Sequence, residues 1–317
     1  MIIRFILLII GFIILIKGAD IFVDGASNVA LNFCVSKMLI GLTIVSFCTS
    51  APELAVSIKS MVSENFDIVL GNVVGSNILN ILLILGISSI IRPLNVKSNT
   101  IKFELPITLL MTTLFVVLLI DHFFDNSLLN AITRSDGVIL LLVFMIFIYY
   151  LLNLSFKEKT NDLINNKMSM FKSILLTIFG IIMIILGSNL VVDSSCHIAS
   201  IMGVSKKMIS LTIVALGTSL PELVTSITAT IKNEHEIAIG NIVGSNIFNI
   251  GMVIGLPVIL FGGIRNINID YIDIVVMLLS AYLLYIFSFY NRKLTRREGC
   301  IFIIIFIIYY SLVIISG

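Results

Sequence analysis

GLTIVSFCTSAPELAVSI, residues 41–58, and SLTIVALGTSLPELVTSI, residues 210–227, decide the reading of this chain. They lie 169 residues apart and agree at 11 of 18 positions. A second pair at the same offset, GNVVGSNILNI (71–81) and GNIVGSNIFNI (240–250), agrees at 9 of 11. The offset also pairs Gly11 with Gly180, Gly18 with Gly187 and Asp24 with Asp193. The chain is an internal duplication. Each copy sets one carboxylate, Glu53 or Glu222, near the middle of an apolar run. A charge at that depth in a bilayer costs roughly 2.5 kcal/mol or more. Two such residues at equivalent positions therefore mark a function.

The surrounding chain fits lipid as its solvent. Of 317 residues, 58% are hydrophobic and 12% charged, with mean hydropathy +1.14; a soluble domain carries about 25% charged residues. Runs near the ~20 residues needed to cross a bilayer occur near 3–24, 38–61, 67–91, 104–121, 135–153, 172–195, 207–231, 237–261, 271–290 and 299–316. They are continuously apolar, not alternating, which argues for helices over a barrel. The expectation is an all-α polytopic membrane protein of ten transmembrane helices. The N-terminal run has no small-residue cleavage site and reads as a retained first helix.

The polar stretch at 155–172, SFKEKTNDLINNKMSMFK, divides the chain. Residues 1–154 form a first five-helix repeat, 155–171 a cytoplasmic linker, and 172–317 a second five-helix repeat. An odd number of helices per copy inserts the second copy upside down. Inverted repeats are an architecture of secondary transporters, with the ion site at mid-membrane. With the N-terminus outside, the cytoplasmic loops hold 13 Lys and Arg and the outer loops six, so both termini are expected outside.

Other classes lack a signature. The net charge of +2, with no basic run among aromatics, points to no nucleic-acid partner. Cys34, Cys48, Cys196 and Cys300 form no CxxC, and His122, His197 and His235 form no ligand set. There is no HExxH, GxSxG or Walker sequence, so an enzyme is not expected, and neither is a cofactor. Asp20, Asp24 and Asp193 read as interfacial. These three are among the sixteen acidic residues other than Glu53 and Glu222, all of which fall in loops or toward span ends.

Pro52 and Pro221 precede the two glutamates. Neither can donate to the carbonyl four residues back, at Cys48 or Gly217. With the small polar residues before them, each predicts a broken helix whose freed carbonyls line a cavity. Thr49, Ser50 and Ser57 stand three or four residues from Glu53, on its face; Thr218, Ser219 and Ser226 repeat the pattern around Glu222. On the following helix Ser76 and Asn80 are four apart, as are Ser245 and Asn249. Two carboxylates among hydroxyl and amide oxygens suit a hard cation, Ca²⁺ or Na⁺. The glycines of the same segments suit close helix packing.

CTSAPE, GTSLPE and the paired GNxVGSNxxN segments resemble the alpha-repeats of the cation/calcium exchanger superfamily, over nearly the whole chain. The TSxPE form is similar to its sodium/calcium exchanger branch, of prokaryotic type; the GNxxE sequence typical of the proton/calcium branch is absent at the glutamates. The resemblance implies that Glu53 and Glu222 are shared ligands of Ca²⁺ and Na⁺. Thr49 and Thr218 would give carbonyl oxygen to Ca²⁺. Ser46 and Ala215 would give carbonyls, and Ser50, Ser219, Ser76 and Ser245 hydroxyls, to Na⁺, with Asn80 and Asn249 lining the central site. Asn249 stands where potassium-dependent relatives tend to carry Asp, and Cys48 where the family usually has Gly.

The implied function is exchange of Na⁺ for Ca²⁺ across the cell membrane by alternating access, in a chain whose repeats suit a monomer. The family suggests that the first and sixth helices slide over the site-bearing bundle. Gly11, Gly18, Gly180 and Gly187 would give them smooth faces. A proton/divalent-cation antiporter using the same glutamates is the alternative, and a passive cation channel a more distant one.

Overall fold

A computed structural model describes residues 2–120, 131–157, 168–203, 215–265 and 270–316. The order of helices is α1 Ile2–Phe33, α2 Lys37–Thr49, α3 Ala51–Val62, α4 Phe66–Ile91, α5 Thr100–Leu119, α6 Arg134–Lys157, α7 Met170–Ile201, α8 Ala215–Thr218, α9 Leu220–Ile231, α10 His235–Phe261, α11 Tyr271–Asn291 and α12 Arg296–Ser316. Among the described residues seven helices are individually long and apolar enough to cross a membrane. Counting α2 and α3, bent by 42°, as one broken span makes eight. The chain is a multi-pass helical membrane protein. Part of the span expected at 207–231 lies outside the described residues, which resume at Ala215. Four two-residue strands stand beside the helices, at loops: β1 Leu94–Asn95, β2 Ala131–Ile132, β3 Ile264–Arg265 and β4 Lys293–Leu294.

The chain forms two compact units, and both cut across the sequence halves. One comprises residues 1–52 and 155–241, the other 53–154 and 242–317.

In the first unit α1 and α7, 32 residues each, lie along one another. At 1.5 Å per residue each runs ~48 Å, longer than the ~30 Å hydrocarbon layer. Glycine makes their approach possible. A Cβ on Gly18 would stand 2.8 Å from that of Met183, one on Gly180 2.6 Å from the Phe22 nitrogen, and one on Gly187 2.6 Å from the Leu15 nitrogen. This corrects the reading of those glycines as smooth sliding faces: the partner helix fills them. In lipid, where burial of apolar surface drives little, such backbone approach is what associates helices. Leu15, Ala19, Phe22, Val23 and Ile184 form the core there, with Ala229 and Ile237. Lys232 Nζ lies 2.7 Å from both Asp20 Oδ1 and Asp24 Oδ1, each about half exposed. Lys37 pairs with Glu234 at 2.6 Å.

In the second unit α12 packs on the C-terminal part of α4, where a Cβ on Gly86 would meet Ile303 at 2.9 Å. Antiparallel ladders join β1 to β4 (Leu94 opposite Leu294) and β2 to β3 (Ala131 opposite Arg265). Glu104, at the start of the fourth expected span, is 1% exposed and accepts from Tyr150 Oη at 2.6 Å. It is thus a further buried glutamate, at a position read from the sequence as a span end.

Candidate cation-binding site

Both TSxPE stretches break their helix in the same way. Ser50 (φ −84°, ψ 4°) ends α2 and Ser219 (φ −89°, ψ 5°) ends α8. Both sit in the sparsely populated bridge region common at functional sites. The next helix starts at once, with Pro52 or Pro221 in its first turn, where proline's fixed φ fits and its missing N–H costs little. Glu53 and Glu222 therefore fall in the first turns of α3 and α9, 0% and 1% exposed. The carbonyl that Pro221 deprives of its helical donor, Gly217 O, accepts instead from Ser188 Oγ at 3.1 Å. Ala19 occupies the equivalent place in the first repeat.

In the first unit Ser50 Oγ donates to Glu222 Oε1 at 3.0 Å. Thr49 Oγ1 donates to Asn241 Oδ1 at 2.9 Å. Asn241 Nδ2 donates to Ser226 Oγ at 2.9 Å and to the Glu222 carbonyl at 3.5 Å. Glu222 Oε2 is buried and accepts no hydrogen bond. In the second unit Asn72 plays the part of Asn241, donating to the Glu53 carbonyl at 3.1 Å and to Ser57 Oγ at 3.3 Å. Farther along α4 and α10 two amide pairs cross. Asn80 Nδ2 donates to Asn246 Oδ1 at 2.9 Å, and Asn249 Nδ2 to Asn77 Oδ1 at 3.2 Å. Asn80 Oδ1, Asn249 Oδ1 and Ser245 Oγ remain buried with no hydrogen bond.

The expected residues thus fall into two groups. Thr49, Ser50 and Glu222 meet in the first unit. Glu53, Ser76, Asn80, Ser245 and Asn249 are buried in the second. Ser219 is buried at its break, and Thr218 is half-buried beside it. The Ser46 carbonyl accepts from Ser50 N at 3.0 Å and from Thr49 Oγ1 at 3.3 Å, so it is engaged within its own helix. Ala215 opens α8 and its side chain lies outside the described residues. Cys48 packs against the first unit's core. A Cβ at its counterpart, Gly217, would lie 2.4 Å from Val192 Cγ2. The second copy therefore needs glycine where the first carries a thiol.

Reading the residues alone left Asn72, Asn77, Asn241 and Asn246 without a role, although their identity in both copies was the available signal. It also missed the wide π-helical turns Leu79–Leu85 and Asn249–Ile254, which begin one residue before Asn80 and at Asn249. Such turns concentrate at functional sites.

Leaving a buried polar atom without a partner costs about 1–3 kcal/mol. The unpartnered atoms named above, Glu222 Oε2 in the first unit and Asn80 Oδ1, Asn249 Oδ1 and Ser245 Oγ in the second, are oxygens, the donor type of hard cations. Among the described residues no group of three or more His, Cys, Asp or Glu is gathered. Broken intramembrane helices, buried glutamates and spare oxygens define a membrane cation transporter.

The chain belongs to the sodium/calcium exchanger protein family, which matches residues 3–153 and 172–315. It is 36% identical over 248 residues to inner membrane protein YrbG of Escherichia coli, covering 75% of this chain and 74% of that one. It is 30% identical over 342 residues to sodium/calcium exchanger MaX1 of Methanosarcina acetivorans, covering 96% and 97%. Its fold is similar to that of the sodium-calcium exchanger NCX_Mj, with a TM-score of 0.85 and 33% identity over 98% of each chain. The family is one of transporters, with no cofactor indicated.

Proposed function

We propose that this protein exchanges Na⁺ for Ca²⁺ across the cell membrane by alternating access, with Glu53 and Glu222 as shared carboxylate ligands. Thr49, Thr218, Ser46, Ala215, Ser50, Ser219, Ser76, Ser245, Asn80 and Asn249 complete the oxygen set. The observation that carries the reading is Glu222: a buried carboxylate that accepts from Ser50 Oγ on one oxygen and whose other oxygen, also buried, accepts no hydrogen bond. The mechanism is charge competition. Two carboxylates are neutralised by one Ca²⁺ or by Na⁺, not by both, and the empty, doubly charged site is costly to move through an apolar barrier. Filling by one ion or the other is what permits the change of access. MaX1 and NCX_Mj, both sodium/calcium exchangers by name, support the ion pair.

Two features support ten spans in inverted repeats. α4 and α10 are repeat equivalents, ending at β1 and β3. β1 pairs with β4 and β3 with β2, and α5 separates β1 from β2 along the chain. The ends of α4 and α10 then point opposite ways. The amide bonds are also reciprocal: Asn80 binds the counterpart of Asn77, and Asn77 the counterpart of Asn80, the signature of a two-fold contact. Both termini outside, and a monomer, complete the proposal.

The test uses the purified chain in sodium-loaded liposomes diluted into sodium-free buffer, with Ca²⁺ uptake as readout. Uptake that needs the outward sodium gradient, and disappears in Glu53→Gln and Glu222→Gln while both variants stay folded, is expected. Full exchange in either variant overturns the site. Equal uptake driven by a proton gradient without sodium replaces sodium coupling with proton coupling.

A further inference from the structure

We infer that Asn77 and Asn246 are positioning residues: each holds the amide of a site asparagine on the opposite repeat so that its oxygen, and not its NH₂, is presented to the cation. The inference rests on the proposed site and concerns two residues outside its ligand set. A primary amide is nearly symmetric in shape and opposite in polarity at its two ends. Asn80 or Asn249 turned over would aim a donor at the ion, and sterics alone hardly prevents that. The protein has removed the ambiguity. Asn80 Nδ2 is committed to Asn246 Oδ1 at 2.9 Å and Asn249 Nδ2 to Asn77 Oδ1 at 3.2 Å. The oxygens of Asn80 and Asn249 are then the ends left over, both buried and neither accepting a hydrogen bond.

Both orienting amides are buried, and one of them is tethered in turn. Asn77 and Asn246 are each 2% exposed, and Asn77 Nδ2 reaches the Asn246 carbonyl at 3.5 Å. The same arrangement appears twice, once from each repeat, so it is built into the GNxVGSNxxN pattern. The first Asn (Asn72, Asn241) braces the glutamate's helix. The middle Asn (Asn77, Asn246) sets the polarity of the last (Asn249, Asn80). A competing account is that the four amides simply join α4 to α10, as interhelical amides in lipid do.

A double-mutant cycle separates the two accounts, read as the apparent KM for Ca²⁺ and the maximal rate in liposomes. Asn246→Leu removes the acceptor without adding charge. It should raise KM about tenfold, equivalent to about 1.4 kcal/mol, with a smaller change in maximal rate. Asn246→Asp keeps an acceptor and should lose much less. The decisive arm is Asn80→Asp, which puts a carboxylate with two accepting oxygens at the oriented position. On that background Asn246→Leu should cost little. An equal KM cost on both backgrounds overturns the inference, and so does an unchanged KM in Asn246→Leu; a fall in melting midpoint and maximal rate with KM unchanged is the result simple joining predicts. Asn77→Leu with and without Asn249→Asp repeats the cycle at the other pair, so a folding failure at one position leaves the other readable. Glu222→Gln is run alongside. Full exchange in that variant would overturn the site reading itself, whereas its loss together with a flat cycle overturns only the orienting role.

Discussion

Ser188→Ala isolates what holds the second broken helix in shape. Pro221 removes the helical donor from the Gly217 carbonyl, and Ser188 Oγ supplies a replacement at 3.1 Å, with Ser188 only 5% exposed. A net intramolecular hydrogen bond contributes about 1 kcal/mol, rising to ~3 kcal/mol when the surviving partner is left buried and dry. Interhelical bonds in lipid average nearer ~0.6 kcal/mol. The expected loss is therefore about 0.6–3 kcal/mol, a fall in melting midpoint on the order of 1–12 °C at roughly 2–4 °C per kcal/mol. The control lies six residues along the same helix. Ser194 is 1% exposed and its hydroxyl has no partner, so Ser194→Ala removes an unsatisfied polar group and should be neutral or stabilising. The chain has no tryptophan but four free thiols, so a thiol-reactive fluorogenic dye is a suitable probe of melting in detergent. Equal shifts in the two variants would refute the reasoning, because only one hydroxyl caps a carbonyl.

Gly217→Ala should cost about 1–3 kcal/mol by overpacking, since its Cβ would stand 2.4 Å from Val192 Cγ2; the melting midpoint should recover in the double variant with Val192→Ala, whereas Cys48→Gly should change it little. Lys232→Met removes the bridge to Asp20 and Asp24. With the partners about half exposed, the loss should stay below about 1 kcal/mol, and melting in ~1 M salt, where the Debye length is ~3 Å, should erase most of the difference from the parent.

What the sequence made legible is what duplication and lipid both force. Glu53 and Glu222 stood out because a carboxylate in an apolar run is costly and recurs at one offset. Pro52 and Pro221 marked the breaks because proline's missing N–H is local chemistry. Helix faces were not legible. In lipid, core and exterior are both apolar, so hydrophobic periodicity does not report which side of a span is buried. That is why Gly11, Gly18, Gly180 and Gly187 read as sliding surfaces when they are mutual contacts of α1 and α7. Glu104 looked like a span end because its partner, Tyr150, is 46 residues away in another helix. The crossing of Asn77 with Asn249 and of Asn80 with Asn246 could not be read, because it depends on two helices meeting. The reason Cys48 replaces glycine only in the first copy likewise depends on Val192, which no local pattern connects to Gly217.

The pairing of α1 with α7 also sets a timetable for biogenesis. Gly18 finds its neighbour at Ile184, and at ~5–20 residues per second that partner leaves the ribosome about 8–30 s later. Throughout that interval the grooved side of α1 has only lipid or the insertion machinery to lie against. A nascent chain arrested before residue 170 should hold its first helix as a separable guest of the membrane. Its glycine-lined contact with α7 forms only when the second copy has been made.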